Sequence, residues 1–138
     1  MILPKNISIS TDKTLLDIPM IHGFLHQTYW AKDRSLETIQ TTIEHSFCFG
    51  LYDNKQQIGF ARVVSDSSIF AYIMDVFVLD DYRGQGLGKL FMQYILEESL
   101  LKNVKKWMLG TRDAHGLYRK LGFTDIQAPE LWMQYIRS

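Results

Sequence analysis

From residue 5 to residue 10 the chain alternates polar and apolar side chains, Lys-Asn-Ile-Ser-Ile-Ser, the period of a short half-buried strand. The period then lengthens. Leu15, Ile18, Ile21, Leu25 and Tyr29 recur at helical spacing and predict a helix from Leu15 to Trp30, with Pro19 tolerated in its first turn. Ser35 is the expected N-cap of a second helix that runs through Ile39 and Ile43 to about Ser46. Three strands follow, from Phe47 to Tyr52, Gln57 to Ser65 and Ile69 to Leu79, joined by turns at Asp53-Asn54-Lys55-Gln56 and Asp66-Ser67-Ser68. They predict an antiparallel meander whose last strand is apolar enough from Ile73 onward to be covered on both faces. Leu87, Leu90, Phe91, Tyr94 and Ile95 then mark an amphipathic helix over 87–101. Lys106 to Thr111 returns to a strand, so this helix becomes a crossover between parallel neighbours. A short helix over Asp113 to Leu121 closes on Gly122. One or two strands are expected between Phe123 and the end, with Pro129 interrupting them and Leu131 to Ile136 the last. The sum is a mixed α/β (α+β) chain, read as one domain over 1–138 because no linker, repeat or low-complexity tract divides it.

Composition narrows the class. At 138 residues and 46% hydrophobic, the chain can bury one sheet between helical layers. Fifteen basic residues balance fifteen acidic ones, which argues against a nucleic-acid partner held by bulk charge. The lone Cys48 has no partner for an internal disulfide. Met1-Ile2-Leu3-Pro4-Lys5-Asn6 lacks the pattern of a signal peptide, and no apolar run is long enough to span a bilayer. The expected setting is cytoplasmic, away from membrane.

The chemistry concentrates in Asp75-Val76-Phe77-Val78-Leu79-Asp80-Asp81-Tyr82-Arg83-Gly84-Gln85-Gly86-Leu87-Gly88-Lys89. Three glycines alternate between the end of an apolar strand and the start of a helix, where a ligand can approach the backbone closely. The unpaired amides of the helix's first turn and its macrodipole favour an anion, and Arg83 and Lys89 add positive charge. Spacing discriminates among phosphate cradles. A P-loop would need Gly at position 83 and Ser or Thr at position 90, which hold Arg83 and Leu90. A dinucleotide fingerprint would place its last Gly on Lys89 or Phe91, so it fails too.

The pattern that survives is Arg83-x-x-Gly86-x-Gly88, and it resembles the acetyl-coenzyme A signature of the GNAT N-acetyltransferase superfamily. Downstream, Ala114-His115-Gly116-Leu117-Tyr118-Arg119-Lys120-Leu121-Gly122-Phe123 is similar to the superfamily's Ala-x-x-Leu-Tyr-x-x-x-Gly-Phe segment. The order of elements agrees along nearly the whole chain. The resemblance implies a mostly antiparallel central sheet with a splayed parallel strand pair and flanking helices. It implies acetyl-CoA as acyl donor, its pantetheine entering beside Val76, Phe77 and Val78. Its pyrophosphate would rest on the amides of Arg83, Gly84, Gln85, Gly86, Leu87, Gly88 and Lys89, with Thr111 and Ala114 also on the cofactor side. Thr111 stands where many members carry Asn, and Asp80-Asp81 replaces the small or Pro residues often found before the turn. Asp80 and Asp81 are expected to be exposed and without a role.

Tyr118 matches the tyrosine that protonates the departing thiolate, a step of general acid catalysis. A backbone N–H of Phe77 or Val78 would stabilise the oxyanion. The acceptor amine must lose a proton before it attacks, and for a lysine-like amine near pKa 10.4 that costs about 4–5 kcal/mol at pH 7. Asp75, His115 and Asp66 are the candidate bases. Asp75 is preferred because a carboxylate in an apolar strand needs a reason, although pairing with Arg62 or capping a turn would supply one equally well. Tyr29, Trp30, Arg34 and His115 are assigned to the acceptor side, with Arg34 suited to a substrate carboxylate or phosphate. His22 and His26, four apart on a helix, lack the Glu of a zinc motif (Gly23 stands there) and any third ligand, so no metal is expected.

The function so implied is transfer of acetyl from acetyl-CoA to a primary amine, on a small molecule or peptide, by direct attack without an acyl-enzyme. The alternative is a catalytically silent acyl-CoA-binding sensor. Either fits a monomer or a homodimer.

Overall fold

A computed structural model describes residues 2–138; Met1 lies outside the described residues. Five strands form one sheet in chain order: β1 (Ile7–Ser10), β2 (Phe47–Asp53), β3 (Gln56–Ser65), β4 (Phe70–Val78) and β5 (Lys106–Leu109). The pairs from β1 to β4 are antiparallel and β4–β5 is parallel. Four α-helices flank the sheet: α1 (Ile18–Leu25), α2 (Leu36–Glu44), α3 (Leu87–Leu96) and α4 (His115–Lys120). The parallel pair exists because α3 carries the chain back across the sheet between its two strands.

Local chemistry sets the helix ends. Pro19 lies in the first turn of α1, and Ser35 Oγ accepts from Thr38 N at 3.1 Å to cap α2. Helix α1 ends at Leu25 rather than reaching Trp30; the stretch from His26 to Arg34 turns instead, with Thr28 Oγ1 taking up Ala31 N at 3.2 Å. Helix α3 contains its whole apolar pattern but ends at Leu96, short of the expected residue 101, ahead of a single 3₁₀ turn over Ser99–Leu101.

Two apolar layers cover the sheet. One packs Leu87, Phe91, Met92 and Ile95 of α3, and Tyr118 of α4, onto Phe49, Leu51, Ala61, Val63, Ala71 and Ile73. The other packs Ile21 and Leu25 of α1, and Ile39 and Ile43 of α2, onto Cys48, Phe60 and Phe77. Each fully buried large side chain contributes roughly 1.5–3 kcal/mol to folding.

Ala71 and Ile73 belong to the first layer, yet Phe77, an even number of residues later, belongs to the second. Strict alternation forbids this. A β-bulge explains it: pairing jumps from Arg62↔Met74 to Phe60↔Phe77, so Asp75 and Val76 together face Ala61. Asp75 takes the left-handed conformation, φ +55°, that turns the strand over. Pairing with β5 ends just before this point, at Ile73↔Leu109, and the two strands part.

The expected strands after Phe123 are not formed. The segment carries only a 3₁₀ turn, Pro129–Leu131, entered through Ala128 at φ +52°. Leu131, Met133, Tyr135 and Ile136 remain exposed. Alternating apolar residues make a strand only where a partner edge completes the ladder, and among the described residues this segment pairs with no strand. Among the described residues, no helix is long and apolar enough to cross a membrane.

Candidate active site

The parting of β4 and β5 opens the molecule. Beyond Ile73 the β5-facing edge of β4 has no strand partner. A groove of about 900 Å³ runs from Val76, Phe77 and Val78, past Arg83, Gly84 and Gly86, to Leu87, Gly88 and Lys89. Gly84 and Gly86 adopt φ +80° and +75°, values that cost an L-residue roughly 1–2 kcal/mol, so glycine is favoured there. Gly86 is also the N-cap of α3, and having no side chain it caps nothing. The first bonded amide of α3 is Leu90 N, to Gly86 O at 3.2 Å; those of Leu87, Gly88 and Lys89 have no acceptor among the described residues. Arg83, Lys89, Arg112 and Lys120 surround them with positive charge. An elongated diphosphate ligand suits this combination of bare amides, lysines and arginines.

A second cavity, of about 370 Å³, lies on the other side of the bulge, lined by Tyr72, Met74 and Asp75 of β4, by Leu109 to Thr111, and by Tyr29, Trp30 and Arg34. Groove and cavity meet. Tyr29, Trp30, Val76, Asp113, Ala114 and Tyr118 line both. Tyr118 is 8% exposed, and among the described residues its hydroxyl has no hydrogen-bond partner. Burial pushes this phenol above its ordinary pKa, which keeps it protonated and able to donate.

Asp75 does not stand free in the cavity. Its Oδ1 accepts from Trp30 Nε1 at 2.9 Å and Arg34 Nη1 at 2.8 Å; its Oδ2 accepts from Arg34 Nη1 at 2.7 Å and Arg62 Nε at 2.9 Å. Both oxygens are saturated, so the carboxylate anchors the Trp30–Arg34 turn to the bulge. The pairing with Arg62, weighed against a base role, is the contact that forms. The other two base candidates lie elsewhere. Asp66 Oδ1 accepts from the amides of Ser68, Ile69 and Phe70 and builds the β3–β4 turn, which holds its pKa below the usual carboxylate value. His115 lines a different cavity, between β5 and the segment after Phe123.

Val76, Phe77, Val78, Arg83, Gly84, Gly86, Leu87, Gly88, Lys89 and Ala114 line the groove, while Tyr29, Trp30 and Arg34 line the second cavity. Gln85 sits exposed between the two turn glycines without lining the groove. Thr111 faces the second cavity, where its Oγ1 accepts from Ala114 N at 3.1 Å and shapes the entry to α4. Asp80 and Asp81 are exposed, Asp80 pairing with Arg83 at 3.2 Å on the surface.

Residues that sequence reasoning passed over complete the walls. Phe24 stacks on Phe77 at 4.0 Å between ring centres, and Arg112 lies 3.8 Å from the Tyr29 ring. Asp113 is exposed and, among the described residues, its carboxylate has no hydrogen-bond or ion-pair partner; it lies at the junction of groove and cavity. Its signal was its place, after a parallel strand and before a helix, where ligand-contacting residues of α/β sheets gather.

A family model described as an acetyltransferase (GNAT) domain matches residues 44–125, which span the meander, the glycine turn and Tyr118. The chain belongs to the GNAT acetyltransferase family. A solved structure of a GNAT-family protein from Xanthomonas campestris pv. campestris matches at a TM-score of 0.92 and 43% identity, over 98% of this chain and 95% of that one. A Gibberella zeae protein named as an acetyltransferase is 30% identical over 140 residues, 85% of this chain and 78% of its own. The N-acetyltransferase ycf52 of Porphyra purpurea is 32% identical over 125 residues, 86% of this chain and 71% of its own. As a GNAT protein the chain is an acyltransferase, with the mixed, mostly antiparallel sheet of its neighbours. Acetyl-CoA is the co-substrate of the family in general, and amines are its acceptors.

Proposed function

We propose that this GNAT protein transfers acetyl from acetyl-CoA to a primary amine by direct attack. The observation that carries the reading is the meeting of groove and cavity at Tyr118, which puts one phenol within reach of both ligands. The groove fits the coenzyme: its bare amides at Leu87, Gly88 and Lys89 and the flanking Arg83 and Lys89 suit the pyrophosphate. The unpaired edge of β4 beyond Ile73 suits the amide-bearing pantetheine arm.

Bound acetyl-CoA supplies an activated acyl group as a thioester. The protein's residues do the rest. The β4 edge from Val76 to Val78 offers amides to the negative charge that develops on the carbonyl oxygen. Tyr118, kept neutral by burial, gives its proton to the leaving sulfur. Asp113, with no other partner, takes the proton that the ammonium must lose, directly or through water. Trp30, held by its bond to Asp75, and Tyr29 wall the acceptor cavity.

Cys48 takes no part in this scheme. It is buried at 2% exposure, and burial drives its thiol up to about 11, so almost no thiolate exists at neutral pH. The test is release of free coenzyme A thiol with a panel of primary amines, alongside calorimetric titration of acetyl-CoA. Binding together with amine-dependent release supports acetyl transfer; binding with no release on any amine contradicts it.

A further inference from the structure

The cluster under the acceptor cavity does not balance in charge. Asp75, with 1% of its side chain exposed, faces two guanidinium groups: Arg62 at 7% and Arg34 at 22%. Arg62 is spent inside the protein, donating from Nε to Asp75, from Nη1 to Ser46 Oγ at 3.0 Å and from Nη2 to Met74 Sδ at 3.3 Å. Arg34 uses Nη1 alone, on Asp75. Among the described residues, its Nε and Nη2 have no acceptor, although Arg34 lines the cavity and its side chain is mostly shielded from water. Asp113 lines the same cavity but forms no ion pair with it. The cluster therefore keeps one uncompensated positive charge, presented on the planar Nε–Nη2 edge that pairs with two oxygens at once.

We propose that this edge of Arg34 binds an anionic oxygen group of the acceptor, a carboxylate or a phosphate, so that the substrate is a small primary amine carrying such a group. The inference rests on the acetyl-transfer reading only for the amine end; anion binding stands on the cluster itself. Asp75 has a purpose in this arrangement: it orients Arg34 by gripping Nη1 and leaves the opposite edge free. The cavity then matches a zwitterion, with Arg34 at one end and Tyr118 and Asp113 at the mouth of the groove. A guanidinium left without its anion in a shielded pocket discriminates strongly against neutral analogues.

Calorimetry on the coenzyme A-saturated protein reads the anion apart from catalysis. The probes are ω-amino carboxylates from glycine to 6-aminohexanoate, their neutral carboxamides, and the corresponding aminoalkylphosphonates. At one chain length or more, the carboxylate or the phosphonate should bind at least tenfold more tightly than the amide, and which of the two wins names the group. R34Q should erase that margin, and R34K, which keeps charge but loses the planar edge, should retain only part of it. Circular dichroism and bound coenzyme A show whether each variant is folded; if R34Q is not, R34K and the wild-type margin decide. Equal affinity of charged and neutral probes at every length, or a margin that survives in R34Q, overturns the assignment. Acetylation of uncharged amines without preference for charged ones overturns it too, while leaving acetyl transfer intact. Arg34-dependent anion binding with no thiol release from any amine supports it and contradicts acetyl transfer instead.

Discussion

A single nitrogen of Arg34, Nη1, grips both carboxylate oxygens of Asp75, at 2.8 and 2.7 Å, across 41 residues of chain. The grip ties the α1–α2 turn to the bulge in β4 and thereby shapes the cavity that Trp30, Arg34 and Asp75 line.

Asp75 is thus a structural anchor, and its loss should appear first in stability. D75N keeps a side chain that tolerates the left-handed backbone but leaves two shielded guanidiniums without their anion. Removing one partner of a buried pair costs about 3–5 kcal/mol. Urea denaturation should show a loss of that order. A fully stable variant with reduced kcat would return Asp75 to the role of base.

Tyr118→Phe should lower kcat by roughly one to three orders of magnitude while acetyl-CoA affinity stays within about twofold. The pH dependence follows from the direction of the phenol's shift. Burial raises its pKa above the ordinary 10, the protonated form is the donor, and deprotonation happens only above the raised value. Wild-type kcat should therefore show no alkaline fall caused by Tyr118 below pH 10. An alkaline limb below pH 10 that vanishes in Y118F would contradict this.

Gly59 is a point of close approach. A Cβ there would lie 2.9 Å from Phe77 O and 3.1 Å from the Leu51 side chain. G59A must push β3 and β4 apart beside the bulge, at a cost of about 1–3 kcal/mol. Thermal melting checks the cost, and a Tm equal to wild type would show that the strands yield freely.

Cys48, with its thiol raised to about 11 and hidden under α2, should not react with an aromatic disulfide reagent at pH 8 until the protein unfolds. C48A should retain wild-type turnover. An acetylated Cys48 trapped by mass spectrometry would refute direct transfer.

What the sequence disclosed and what it withheld divide along a physical line. Ser35, Pro19, the two hairpin turns and Gly122 act within a few residues of themselves, and the elements they delimit are where their chemistry places them. The Arg83–Lys89 turn was legible because its glycine spacing and charges mark an anion cradle at a helix start, and the Ala114–Phe123 segment because it resembles a family motif. Asp75 was visible as an anomaly in an apolar strand, but its meaning lay with Trp30 and Arg34, more than 40 residues away, and in a bulge that no local pattern announces. Asp113 carries no periodic signal and gains interest only once β5 and α4 set it between two cavities. The segment after Phe123 has a strand's alternation but no edge to pair with, and pairing is not local information.

The claim on which the mechanism depends is that the turn from Arg83 to Lys89 holds acetyl-CoA with its thioester at Tyr118. A crystal structure of the protein grown with acetyl-CoA tests it most directly. The pyrophosphate should lie on the amides of Leu87, Gly88 and Lys89, the pantetheine along β4 beyond Ile73, and the sulfur within hydrogen-bonding reach of the Tyr118 hydroxyl. Coenzyme bound elsewhere, or a sulfur far from Tyr118 with the groove empty, would contradict it.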